Sequence, residues 1–163
     1  MKIGLLSDTH GQVRRMKAAL DVFAARGVQA IVHCGDLGSA ACVEMLAGVA
    51  PAYAVAGTMD RHVEDLEAAA RHSGASFAWE VVEVPLDDGR RLVATHGSDE
   101  RVLGGLIAGQ QFPYVCHGHS HRPRDQRVGC ARIINPGALH RARPHTIAVL
   151  DTTADTVEHI VIP

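Results

Sequence analysis

A chain of 163 residues, 47 % hydrophobic and 21 % charged, is long and apolar enough for one domain with a substantial core, expected over 1–163. Its formal net charge of −2, with no polybasic run or acidic tail, excludes a general electrostatic case for nucleic-acid or membrane binding. The apolar stretch Ile3–Leu6 is too short for a signal-peptide core and no apolar run approaches a membrane span, so the expected location is the cytoplasm.

The first apolar run, Lys2–Ser7, reads as a buried strand that "DTHG" breaks. Val13, Met16, Ala19, Leu20, Phe23 and Ala24 then recur at helical spacing across Gln12–Arg26, and Gly27 is a stop signal. Val28–His33 is the next strand, followed by the break "CGDLGS". Ser39 is placed to cap a second helix running through about Gly48. Pro51–Ala56 is a third strand, ending in "GTMD", and a helix follows over Arg61–His72. This alternation predicts right-handed crossovers in a parallel sheet.

After Ser73 the style changes. Ser76–Val84 and "RLVATHG" predict a hairpin turning at Asp88-Gly89. A helix is expected over Asp99–Ala108, and "PYVCHG" is another strand. "RVGCARIINPG", "HTIAVLDTT" and "TVEHIVIP" read as short strands closing the C-terminal half. The expected fold class is α/β with two sheets packed together.

Four scattered cysteines (Cys34, Cys42, Cys116, Cys130) form no Cys-x-x-Cys pair and are expected as reduced thiols packed like small apolar residues. Eleven histidines against six aromatic residues raise the prior for a metal or acid–base site. In "CHGHSH", His117, His119 and His121 occupy alternate positions, so an extended backbone would crowd them on one face. Neutral imidazoles so placed need hydrogen-bond partners or a metal.

Position sharpens this. Asp8 and His10 follow the first strand, Asp36 the second, Thr58 and Asp60 the third; His96 follows "RLVAT", and His119 and His121 follow "PYVC". Sites in open α/β sheets gather at the carboxyl ends of strands. Each residue alone has a plainer role. Asp8 and Asp36 suit helix caps, His96 a hydrogen-bonded loop residue, and His33 and His117 satisfied core histidines. His62, His72, His140, His145 and His159 carry no individual signal.

Taken together, "DTH" at 8–10, "GD" at 35–36, "GTMD" at 57–60, "THG" at 95–97, "GHSH" at 118–121 and "NPG" at 135–137 resemble the ordered signature blocks of the calcineurin-like metallophosphoesterases. The likeness is to their small, single-domain bacterial and archaeal phosphodiesterase branch. The resemblance implies two packed mixed β-sheets flanked by helices, an αββα sandwich, around two divalent cations. Asp8, His10 and His121 would bind one cation, His96 and His119 the other, and Asp36 would bridge them. Carboxylate and imidazole suit Mn, Fe, Zn or Ni without selecting one. The implied reaction is hydrolysis of a small phosphoester, expected to be a diester, by in-line attack of water or hydroxide held between cations about 3.5–4 Å apart. Asp36 and His10 are the residues expected at the reacting centre, His10 as a contact to substrate oxygens rather than a proton donor. His117 is left to packing or to a hydrogen bond behind the ligands.

Two departures stand out. The family usually carries asparagine, a ligand of the second metal, where this chain has Thr58. Thr58 either coordinates directly, holds a coordinating water, or leaves the second site weak. Many larger relatives carry histidine where this chain has Met59, which cannot donate a useful proton. Asp60 is expected to anchor the loop, and Asn135 and Gly137 to shape the loop beside the site. Arg141 and Arg143 read first as a solvated basic surface, with attraction for phosphate as the alternative. A second function class remains open: the fold also resembles the retromer scaffolding subunit of eukaryotes, so a weakly active or inactive interaction module is the alternative to the enzyme. Oligomeric state is likewise left open.

Overall fold

A computed structural model describes residues 1–48 and 50–163. Along the chain run β1 (Lys2–Leu6), α1 (Val13–Ala25), β2 (Ala30–His33), α2 (Ala40–Glu44), β3 (Ala52–Val55), α3 (Val63–Ser73) and β4 (Ser76–Ala78). There follow β5 (Val81–Pro85), β6 (Arg91–Thr95), α4 (Glu100–Ala108), β7 (Tyr114–Cys116), β8 (Arg124–Val128), β9 (Ala131–Asn135), β10 (His145–Asp151) and β11 (Thr156–Ile162).

The strands form two mixed sheets. One has the order β11-β10-β1-β2-β3-β4, with β1 to β4 parallel and β10 and β11 antiparallel. The other has the order β5-β6-β7-β9-β8, with a parallel centre of β6, β7 and β9. Strand alternation divides the apolar residues between layers. Ile3, Leu5, Val32 and Val55 of the first sheet pack against Val84, Leu92, Ala94 and Ile134 of the second. Leu6 and Ile31 point the other way, onto Met16 and Phe23 of α1 and Leu66 of α3. On the outer face of the second sheet Val93, Val115 and Ile133 meet Leu103, Leu106 and Ile107 of α4. Each such aliphatic side chain, fully buried, contributes about 1.5–3 kcal/mol. The result is the expected layered sandwich of two mixed sheets between helices.

Three local expectations are corrected. Ser76–Val84 is not one strand: the chain bends at Trp79-Glu80, so Ser76–Ala78 pairs with β3 and Val81–Pro85 with β6 in the other sheet. Both halves carry strand-forming residues, and only tertiary packing separates them. The second helix is shorter than expected. Ser39 does accept a hydrogen bond from the Cys42 amide, but helix ends at Glu44 and residues 45–48 form turns, with Gly48 at φ +80°. Val49, beyond that expected helix, lies outside the described residues. The "RVGC" segment is the end of β8 plus its turn, with Gly129 at φ +61°, so the hairpin begins earlier, at Arg124.

Candidate metal centre

Both sheets present the carboxyl ends of parallel strands at one edge, and the loops there are tied to each other. The loop after β1 runs along that after β2 through Asp8 N–Gly35 O (3.0 Å), His10 N–Asp36 O (2.9 Å) and Gly11 N–Leu37 O (2.8 Å). Across the sandwich Gly118 N donates to His96 O (3.0 Å) and the His119 amide to Asp8 Oδ2 (3.1 Å). Asp8, His10, Asp36, His119 and His121 all have positive φ, between 47° and 66°. Non-glycine residues seldom occupy this region without a structural reason, and five of the eight that do so among the described residues are candidate ligands.

The side chains converge. His121 Nε2 lies 3.2 Å and His10 Nε2 4.0 Å from Asp8 Oδ1. Asp36 Oδ2 lies 3.4 Å from His10 Nε2 and 3.5 Å from His96 Nε2. Asp8, His10 and His121 form one group able to hold a metal ion, and Asp8, Asp36 and His96 another. His119 lies beside His96, ring centroids 5.1 Å apart.

Hydrogen bonds from behind aim these groups. His96 Nδ1 sits 2.9 Å from Cys34 O and His121 Nδ1 3.4 Å from Arg141 O. An imidazole that donates from Nδ1 to a carbonyl presents a bare Nε2. Asp8 Oδ2 accepts from Ser7 Oγ (2.6 Å) and His119 N, and Asp36 Oδ1 accepts from Met59 N (2.7 Å). Asp8 Oδ1, His10 Nε2 and His96 Nε2 are buried and have no hydrogen-bond partner. Burial pushes the Asp8 carboxyl above its ordinary range, against the Ser7 hydrogen bond and the His96 and His121 imidazoles. Uncompensated buried polar atoms are costly, and a divalent cation is what three bare donors of this type fit. The donor set therefore suits the metals the resemblance implies.

Asp8 and Asp36 do not cap helices: Gln12 and Ser39 occupy those positions. Asp60 accepts from Leu37 N (3.2 Å), Gly38 N (2.8 Å) and Gly57 N (2.8 Å), clamping the loop after β3 to that after β2. Asn135 donates to Gly118 O (2.8 Å) and Ser120 Oγ (3.1 Å) and accepts from Gly137 N (2.9 Å), so it braces the "GHSH" loop. His33 and His117 are core histidines with one partnered ring nitrogen each. His33 Nε2 meets Thr9 Oγ1 at 2.8 Å, and His117 Nδ1 meets Gly118 O at 3.1 Å. Burial, then the His96 and His10 fields, drive His33 down to about 3.

Glycine is required where ligand side chains need the space. A Cβ on Gly118 would run into Ser7 Oγ and Asp8 Oδ2, and one on Gly57 into the Asp36 amide and carboxylate.

Thr58 is exposed and lines a cleft of about 330 Å³ together with His96, Ser98 and Trp79, but its side chain makes no hydrogen bond to the centre. His62 opens instead into a cleft of about 460 Å³ between α2 and α3. Sequence reasoning missed Ser7, whose only signal was a hydroxyl beside Asp8. It also missed His140, whose ring centroid lies 5.1 Å from that of His10 and which no pattern marked.

A phosphodiesterase of Methanocaldococcus jannaschii is 28 % identical over 166 residues, covering 99 % of each chain. A solved structure of a novel archaeal phosphodiesterase superposes with a TM-score of 0.88 at 29 % identity, covering 99 % of both chains. Vps29 of Entamoeba histolytica, solved with Zn²⁺, covers 99 % of both chains with a TM-score of 0.64; at 16 % identity it shares the fold alone. The model of the calcineurin-like phosphoesterase superfamily domain matches residues 1–155, a span that includes every strand-end acid and histidine described above, and the chain belongs to that superfamily.

Proposed function

We propose that this chain is a divalent-metal-dependent phosphodiesterase built as one catalytic domain over 1–163. The observation that carries the reading is the convergence of bare, buried donors: His10 Nε2 and His96 Nε2 beside Asp36 Oδ2, with Asp8, whose Oδ1 is also bare, completing a group with Asp36 and His96. The superfamily uses divalent metals, and the relatives matched over the whole chain at 28–29 % identity are phosphodiesterases by name. Asp8, His10 and His121 would hold one ion and His96, His119 and Thr58 the other, with Asp36 between them; Mn, Fe, Zn and Ni all suit this donor set. Four free cysteines, three of them buried, suit the reducing cytoplasm. No helix among the described residues is long and apolar enough to cross a membrane.

Bound cations supply Lewis-acid polarisation of phosphoryl oxygens and make nearby water more acidic. The chain's own residues do the rest. Asp60 and Asn135 hold the ligand loops in register, so that little reorganisation is needed when charge develops at phosphorus. His10 is 18 % exposed at its side chain, enough to reach a substrate oxygen, whereas Asp8 is sealed. Met59 offers no proton to the departing oxygen, and His62 faces another cleft. The centre therefore suits diesters whose leaving group is itself acidic.

Hydrolysis of bis(p-nitrophenyl) phosphate with added Mn²⁺ tests the reading, with Asp36→Asn in parallel. Turnover by the native chain and its loss in the variant are expected. No turnover after metal reconstitution, and no difference in Asp36→Asn, would leave the scaffold alternative in its place.

A further inference from the structure

Beside the metal centre, on the His10 and His121 side, lies a groove of about 690 Å³ lined by Gln12, Arg15, His140, Arg141, Arg143 and His145. We propose that this groove binds a second anionic group of the substrate, a phosphate carried on one arm of the diester. The inference rests on the hydrolase reading and names the substrate class that reading leaves open.

The groove wall contains three arginines and two histidines and no carboxylate. In a chain of net charge −2 this is placement, not composition. Arg26, Arg90, Arg91, Arg101, Arg127 and Arg132 each sit against an aspartate or glutamate. Arg14, Arg15, Arg61, Arg122, Arg124, Arg141 and Arg143 form no ion pair among the described residues, and three of these, Arg15, Arg141 and Arg143, share the one groove wall. Clustered like charges repel, so an unpaired set facing one groove favours an anion there. Arg15 is also pre-positioned: its guanidinium donates to Gln12 Oε1 (3.2 Å) and Leu139 O (3.3 Å). A guanidinium has five N–H donors, so others remain for a ligand. Burial, and then the charges of Arg15 and Arg143, hold His145 below the usual imidazole range.

The groove adjoins the centre through two contacts. The His140 ring packs on His10, and the Arg141 carbonyl faces His121 Nδ1 at 3.4 Å. Arg141 holds φ +47°, which turns the chain here so that one residue touches a candidate ligand with its backbone while its side chain lines the groove. An anion in the groove would thus lie alongside a phosphodiester at the metals, as two phosphates on one nucleoside do. Against a solvated basic surface, the plainer alternative, stands the placement of three arginines and no carboxylate on one wall that touches His10 and His121.

The test uses the metal-loaded chain and two substrates that share a scissile diester: thymidine 5′-(p-nitrophenyl phosphate), and the same compound carrying a 3′-phosphate. The added phosphate is expected to raise kcat/KM by about tenfold or more, mainly through KM, as a charge-assisted contact does. The advantage should shrink as NaCl is raised. Arg141→Gln combined with Arg143→Gln should bring the ratio of the two kcat/KM values close to one, and the corresponding double lysine variant should restore part of it. Arg14→Gln, an exposed arginine of α1 outside the groove, should keep the native ratio. Equal kcat/KM on the two substrates in the native chain would overturn the groove and leave the phosphodiesterase reading intact. A ratio lost equally in Arg14→Gln would reduce it to a general charge effect. No turnover of either substrate would overturn both.

Discussion

Asp36 and His10 meet through Oδ2 and Nε2 at 3.4 Å, and the same Asp36 oxygen stands 3.5 Å from His96 Nε2. The other Asp36 oxygen is held by the Met59 amide. One carboxylate thus has one atom committed to the loop after β3 and one free to serve the two halves of the centre.

Asp36→Asn removes the charge and leaves the shape. The amide nitrogen can no longer accept between two imidazoles. Metal content by elemental analysis should fall, and diester hydrolysis should drop by at least about a hundredfold, above the effect typical of removing an outer partner of a ligand. The circular dichroism spectrum should stay native.

Thr58 lines the His96 cleft from an exposed position without a hydrogen bond to the centre. Thr58→Asn adds a longer side chain ending in a carbonyl, a better oxygen donor than a protonated hydroxyl. Occupancy of the proposed second metal site and the hydrolysis rate should both rise. Unchanged stoichiometry and rate would show that Thr58 does not limit the second site.

Asp60→Ala leaves three backbone donors, Leu37 N, Gly38 N and Gly57 N, without their acceptor. Each such loss costs about 1–3 kcal/mol when water cannot replace the partner. Part-solvation at Gly38 and Gly57 reduces the sum, so destabilisation of about 2–4 kcal/mol is expected in urea unfolding. Asp60→Asn, which keeps an acceptor, should lose less.

Gly118→Ala puts a methyl where Ser7 Oγ and Asp8 Oδ2 lie. The loop carrying His119 must move away from β1, so metal affinity should fall more than stability does. Titrating the metal-free chain with Mn²⁺ separates the two effects.

Acidification should destabilise the metal-free chain through His33. Its folded value is about 3, below the ordinary 6.5 of an imidazole, because burial and the neighbouring imidazoles disfavour the cation. Between those values the unfolded chain binds the extra proton. Stability is therefore complete above about pH 6.5 and falls by up to about 1.4 kcal/mol per pH unit below it. His33→Gln should flatten the dependence of Tm on pH between 6.5 and 4.5.

Hydrophobic periodicity sufficed for the α/β class, the positions of α1, α3 and α4, and the strand ends bearing Asp8, Asp36, His96 and His119. Those features are local: one apolar run, one break, one reactive residue after it. The split of Ser76–Val84 between two sheets was not legible, because both halves have strand-forming sequences and only their partners differ. Nor was the short second helix, whose apolar residues run on past Glu44 into turns.

The order of acids and histidines, and their place after apolar runs, belong to the sequence by itself, since both follow from residue type and spacing. Tertiary structure alone decided that Asp36 Oδ2 lies between His10 and His96, that Ser7 and Cys34 O aim Asp8 and His96, and that Arg15 shares a wall with Arg143. Those relationships join residues up to 128 positions apart (Arg15 to Arg143). Such distances are set by how two sheets twist and pack, which no short window of sequence contains.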